Sequence, residues 1–185
     1  MLDRAMLKGE AKKQIKGNIG ILFVCILVAG IVTGVSSIVS WLVAPAILMG
    51  MVMIFIGVSN GKKPEIGDVF GGFSIFGKAW WLTILIGFFT SLWSMLFVIP
   101  GIIKGLSYSM APFILAENPT MTAREALNES KKITNGAKMD LFVLCLSFIG
   151  WMLLGTITCG IAYIYVLPYM STTMANTYKS LKDNK

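Results

Sequence analysis

The feature that most constrains this chain is the spacing of its charges. Three stretches, Ile19 to Val58, Trp80 to Ala116 and Leu141 to Ala175, run for 35 to 40 residues each and hold one charged residue between them, Lys104. At about 1.5 Å per residue a continuous helix of that length would measure about 50 to 60 Å, nearly twice the ~30 Å hydrocarbon core of a bilayer. Each stretch therefore predicts two crossings with a turn near its middle. Turn residues stand there: Ser36, Ser37 and Ser40 in the first, Pro100-Gly101 in the second, and Gly155 to Gly160 in the third. The expected fold is all-α, a polytopic membrane helix bundle of six transmembrane helices in three hairpins. The spans fall near 19–36, 41–59, 80–99, 102–117, 139–156 and 160–177, within a single domain 1–185.

Composition points the same way. Hydrophobic residues make up 56% of the chain and charged ones 14%, against roughly a quarter charged in soluble domains. The absence of histidine removes the commonest general base and metal ligand. Orientation follows the cations, because Lys and Arg gather in cytoplasmic loops. With both termini inside, the arm 1–18 (Arg4, Lys8, Lys12, Lys13, Lys16), the loops carrying Lys62, Lys63 and Lys78 and then Arg124, Lys131, Lys132 and Lys138, and the tail (Lys179, Lys182, Lys185) are all cytoplasmic. That places 15 of 16 cations and all nine carboxylates on one side. The net charge of +7 is then explained by anionic inner-leaflet lipids, with no nucleic acid required. The apolar run after the arm is too long for a secretory h-region, so an uncleaved first helix is expected.

Short amphipathic segments precede the hairpins. Thr122 and Glu125 have the spacing of a capping box, and Asn135-Gly136 supplies a stop. A cytoplasmic surface helix is therefore expected within 121–136, with Ala123, Ala126, Leu127, Ser130 and Ile133 on one face. Leu2, Met6 and Ile15 in the arm, and Ile66, Val69, Phe70, Phe73 and Phe76 before Trp80, suggest two similar interfacial elements, the second weakened as a helix by Gly71-Gly72. Aligning Glu10 to Leu27 with Glu129 to Leu146 gives eight identities in eighteen positions. The alignment suggests three units, each a surface helix followed by a hairpin.

Candidate site residues are few. Lys104 either snorkels to the outer interface or faces a polar seam made by Ser107 and Tyr108, where it would hold an anionic lipid headgroup or gate a pathway. In the sixth span Tyr165, Tyr169, Thr172, Thr173 and Asn176 share one face. They serve either interhelical hydrogen bonding, worth about 0.6 kcal/mol per contact, or the lining of a hydrated cavity. Pro112 and Pro168 are expected to break internal helix hydrogen bonds and kink their helices, and Pro100 and Gly101 to form a turn. Small residues four apart at Gly30/Gly34, Ala46/Gly50 and Gly101/Gly105 would allow close helix approach. The 12 methionines suit adaptable packing, and Cys25, Cys145 and Cys159 are expected to be structural thiols without a disulfide framework. No catalytic residue, cofactor site or metal-ligand set is expected.

The segment Ile99-Pro100-Gly101-Ile102-Ile103-Lys104, then Leu106-Ser107-Tyr108-Ser109-Met110-Ala111 and Ala116-Glu117-Asn118-Pro119, is similar to a family of bacterial integral membrane proteins. So are Glu125-Ala126-Leu127, Ser130, Gly136, Leu146-Ser147-Phe148-Ile149-Gly150-Trp151, Gly155, Gly160, Pro168-Tyr169 and Tyr178. The family is the domain of unknown function 975, and the resemblance runs from about Phe70 to Tyr178. It implies a polytopic inner-membrane protein of unestablished role, with no catalytic residues to carry over. The expectation that results is a non-enzymatic protein of the bacterial cell membrane that organises the bilayer or assists a membrane-protein partner or a second copy of itself, in envelope maintenance or resistance to membrane-active peptides. The alternative is a small permease or exporter component, or a lipid-binding transporter.

Overall fold

The computed structural model describes residues 3–34, 37–96, 98–158 and 160–183. Among them the regular structure is entirely helical. It comprises α1 (Arg4–Ile15), α2 (Ile19–Gly34), α3 (Ser37–Ser59), a 3-10 helix (Ile66–Ile75), α4 (Phe76–Leu96), α5 (Val98–Tyr108), α6 (Ala111–Glu117), α7 (Ala123–Ile133), α8 (Lys138–Ile157) and α9 (Tyr163–Asp183). Leu2, Ser36, Cys159 and Lys185 lie outside the described residues.

Helical stretches occupy the six expected positions, but fewer of them qualify as spans. Trp41–Ser59, Ile66–Trp93 and Lys138–Ile157 are long and apolar enough to cross a membrane, and a fourth counts if α1 and Ile19–Ile31, bent by 90°, form one broken span. Such helices are those expected of a membrane protein. The others depart from expectation for separate reasons. Helix α2 is described for 16 residues, as far as Gly34. The expected span 102–117 is broken at Ser109 and Met110 into α5 and α6, where the Ser107 and Ser109 hydroxyls bond back to the carbonyls of Ile103 and Leu106 at 2.8 Å each. Helix α9 begins at Tyr163 and continues to Asp183, and it carries a run of hydroxyl and amide side chains through its middle.

The prolines explain part of this. Pro100-Gly101 is not a turn: Pro100 stands in the first turn of α5, where its missing N–H breaks no helical bond. Pro112 likewise opens α6, so the kink expected there does not form. Pro168 lies inside α9 as expected, and Pro45 inside α3. The turn between α8 and α9 is present, with Gly160 left-handed at φ 92°.

The segment before α4 follows a period of three rather than 3.6. Val69, Gly72 and Ile75 are buried, while Phe70, Phe73 and Phe76 form a ladder of rings 6.3 and 6.2 Å apart on the next stripe. Glycine is required at this contact. A Cβ on Gly72 would come within 1.9 Å of the Ala46 carbonyl oxygen, and one on Gly50 within 2.0 Å of that of Val69. The close approach expected at Ala46/Gly50 is therefore made, to the 3-10 helix. Gly30 faces open space and Gly105 only a Thr90 methyl at 3.9 Å.

Of the surface elements, the 3-10 helix lies against α2 and α3, α7 lies against α4, α5 and α6, and α1 lies along α9. The first two lean on helices that precede them in the chain, whereas α1 leans on α9 and more lightly on α3. Helices α3 and α9 meet at the centre. Helix α7 matches expectation closely: Thr122 and Glu125 form the reciprocal capping box, and Ala123, Ala126, Leu127, Ser130 and Ile133 are its buried face. The arm differs, since α1 buries Leu7, Ala11 and Ile15 while Met6 stays 58% exposed.

Candidate functional site

Helix α1 is started by Asp3, whose carboxylate accepts from the N–H groups of Ala5 and Met6 at 3.1 Å each. Its apolar stripe, Leu7, Ala11 and Ile15, repeats every four residues and packs on α9. Arg4, Lys8 and Lys12 repeat at the same interval one position further on, which turns the two lysines toward α8. The Lys8 ammonium donates to the Ser147 hydroxyl at 2.5 Å and lies 4.9 Å from the Phe148 ring centre. The Lys12 ammonium is 5.9 Å from Trp151 and 5.8 Å from Tyr169.

These rings form one wall. Tyr165 stacks on Tyr169 at 5.9 Å and 18°, and Trp151 and Phe148 meet Tyr169 edge-on at 5.8 and 6.0 Å. At the end of α1 the Gln14 amide uses both its halves, accepting from the Asn176 amide at 2.8 Å and donating to the Ser59 carbonyl at 3.3 Å. Lys179 donates to the same carbonyl at 3.0 Å, joining α1, α3 and α9.

Electrostatics make the lysine stripe unusual. Ser147 follows the first residue of α8 by nine positions, about 13 Å along the helix axis, so the Lys8 ammonium meets α8 along its length rather than at its end. An aromatic face offsets about 0.5 to 2 kcal/mol of the cost of desolvating an ammonium. Rings alone do not neutralise two ammonium groups on one stripe. Burial, then the neighbouring Lys12 and Arg4 charges, push the Lys8 ammonium below the ordinary lysine value.

The residues expected to form a seam on α9 are buried on several sides rather than along one wet face: Tyr169, Thr172, Thr173 and Asn176 are all core. Thr173 and Thr177 donate to the carbonyls of Tyr169 and Thr173 at 2.7 and 2.8 Å, while the buried Thr172 hydroxyl has no partner. A cavity of about 370 Å³ beside α9 is bounded by Pro45, Leu48, Phe55, Leu82 and Phe113, with Thr83 and Ser171 as its polar groups. The two halves of the expected seam are not brought together. Lys104 places its ammonium 4.7 Å over Trp93 of α4. The Ser107 carbonyl accepts from Ser130 of α7 at 2.7 Å, and buried Tyr108 lies beside Phe89 and under Lys131.

A second polar cluster ties α6 to α9. Glu117 accepts from the Tyr178 hydroxyl and from Lys182 at 2.8 Å. Burial alone would raise the Glu117 carboxyl, but the hydrogen bonds from Lys182 and Tyr178 and the Lys182 and Lys179 charges outweigh it and hold it below the usual range. Buried Cys25 donates weakly to the Glu65 carbonyl at 3.7 Å and Cys145 is exposed. No group of acidic, histidine or cysteine side chains suited to a metal ion occurs among the described residues.

Residues 95–185 match the family model described as protein of unknown function (DUF975). This part of the chain is similar to that family. The match begins later than the resemblance from Phe70 suggests and extends past Tyr178 to the last residue. No curated protein and no solved structure matches the chain. The DUF975 region supplies the aromatic wall, Ser147 and Asn176, whereas Lys8, Lys12 and Gln14 come from outside it. Tyr165, Tyr169 and Asn176 are among the site residues expected from sequence; Lys8, Lys12, Gln14, Phe148 and Trp151 are not. The available signal was the four-residue spacing of Arg4, Lys8 and Lys12, which marks one stripe of a helix without naming what faces it.

Proposed function

We propose that the chain is a multi-pass protein of the bacterial cytoplasmic membrane, with six passes in three hairpins and both termini cytoplasmic. Its role is non-enzymatic: it organises the inner leaflet by retaining anionic lipid, in the service of envelope maintenance or resistance to membrane-active peptides. The observation that carries this reading is the convergence of charged groups at one end of the bundle. Lys179 reaches Ser59 at the end of α3, Lys182 reaches Glu117 at the end of α6, and Lys78 near the start of α4 donates to the Pro119 and Thr120 carbonyls before α7. The three lysines lie in segments that the distribution of cations assigns to the cytoplasm, and Ser59 and Glu117 are the last residues of the expected spans 41–59 and 102–117. Each cation near an anionic leaflet contributes on the order of 1 kcal/mol of attraction.

The test has two readouts on cells and membranes. In a chain with Cys25, Cys145 and Cys159 replaced by alanine, a membrane-impermeant thiol reagent is expected to label Thr158→Cys from outside and Lys63→Cys only after permeabilisation. Protein extracted in mild detergent is expected to carry anionic lipid above its share in the parent membrane. Labelling of Lys63→Cys in intact cells, or lipid in bulk proportion, contradicts the reading.

A further inference from the structure

The three surface elements each lie along helices of the bundle, but they close their grooves differently. The 3-10 helix meets α3 backbone to backbone at Gly50 and Gly72 and also packs on α2. Helix α7 presents Ala123 and Ala126, both buried, and packs on α4 as well as α5. Helix α1 packs on α9, yet among the described residues its backbone does not pack closely on α8. The space between α1 and α8, floored by α9, is crossed by the Lys8 and Lys12 side chains instead.

We propose that this groove holds the phosphate group of an anionic membrane phospholipid. The proposal rests on the membrane reading above and names the site within it. Three features fit that ligand and are absent together from the other two grooves. The first is a pair of ammonium groups one helical turn apart on the side of α1 that faces α8, an excess of positive charge that a phosphate anion would offset by charge-assisted hydrogen bonds. The second is the Ser147 hydroxyl beside Lys8, which accepts from that ammonium at 2.5 Å and donates to the Leu144 carbonyl at 2.5 Å, so that it meets a phosphate oxygen by exchanging that carbonyl for it. The third is the outer face of α8, where Leu146, Ile149, Met152 and Leu153 are exposed and offer apolar contact to acyl chains. An inorganic phosphate would use the cations and the hydroxyl but not the apolar face, and an acidic side chain of another protein would not need it either.

The test is native mass spectrometry and lipid titration of the full chain in detergent micelles, with phosphatidylglycerol against phosphatidylcholine. Wild type is expected to retain phosphatidylglycerol, Lys8→Gln/Lys12→Gln to bind it at least tenfold more weakly, and Lys62→Gln/Lys63→Gln to bind it within about twofold of wild type. Circular dichroism of each variant verifies folding, and Ser147→Ala offers a milder variant with a smaller loss if the double variant fails to fold. Loss in Lys62→Gln/Lys63→Gln with full binding in Lys8→Gln/Lys12→Gln overturns the site while leaving the lipid-retaining reading intact. Equal binding of both lipids by wild type overturns that reading as well. Displacement of the bound lipid by millimolar inorganic phosphate, or occupancy of the groove by an acidic segment of a co-purifying protein, overturns the assignment to phospholipid.

Discussion

Helices α1 and α7 share an outline. Each is capped by a side chain, Asp3 in one and Thr122 in the other, each is followed by a left-handed glycine, Gly17 at φ 95° and Gly136 at φ 89°, and each leads into a long apolar helix. Their aligned lysines even make the same contact, with Lys12 over Tyr169 and Lys131 over Tyr108 at 5.8 and 5.4 Å. The difference lies in what closes the groove beneath them. Small buried residues let α7 approach, and Ser130 and Thr134 both donate to the Ser107 carbonyl, at 2.7 and 3.4 Å. Helix α1 turns two lysines to the corresponding gap. Two helices of similar outline thus close their grooves differently, one with small residues and one with lysine side chains.

The comparison is most severely tested at the buried alanines. Ala11 and Ala126 are both fully buried, so Ala11→Arg and Ala126→Arg should each force an unpaired charge into a closed contact and destabilise the fold by more than about 4 kcal/mol. The check is thermal unfolding of both variants in one detergent. Tolerance of Ala11→Arg alone would mean that α1 is not docked as α7 is. The caps come next. Thr122→Ala and Asp3→Ala should each cost about 0.5 to 2 kcal/mol, read as lowered midpoints of thermal unfolding, and the two losses should be comparable if both helices hold to the bundle.

The smallest effect concerns the tie between α6 and α9. Because the folded Glu117 carboxyl lies below its ordinary value of 4.5, its contribution is complete above that value and is lost as pH falls through the lower folded value. Wild type should lose thermal stability on acidification more steeply than Glu117→Gln, by about 1 kcal/mol or less given the partial exposure of the pair. Identical acid profiles would show that the tie contributes nothing.

The contrast also explains what was legible in the sequence. Helix α7 could be read residue by residue, because a capping box, a period of 3.6 and a terminal glycine all agree. The 3-10 helix escaped a helical reading because its period is three and its glycines, which weaken an α-helix, are what allow contact with Ala46 and Gly50. Helix α9 looked like a span with one polar face. Its Thr173 and Thr177 instead satisfy themselves on carbonyls of their own helix, which lets a polar helix pack within the bundle although Thr172 finds no such partner. The lysine stripe was visible as spacing, but its partners lie well over a hundred residues away, and no local pattern announces Ser147 or Tyr169. Pro100 and Pro112 misled for a related reason, since proline signals the first turn of a helix as readily as a break.

The account depends on α1 lying against α9 in the membrane. In a chain with Cys25, Cys145 and Cys159 replaced by alanine, Gln14→Cys with Asn176→Cys puts two thiols where the native amides meet at 2.8 Å. Mild oxidation of intact membranes should cross-link this pair nearly completely, while Lys13→Cys with Asn176→Cys, using an exposed residue of α1, should remain open. Absence of the Gln14–Asn176 cross-link, or equal cross-linking of both pairs, would contradict the docking of the arm and the site built on it.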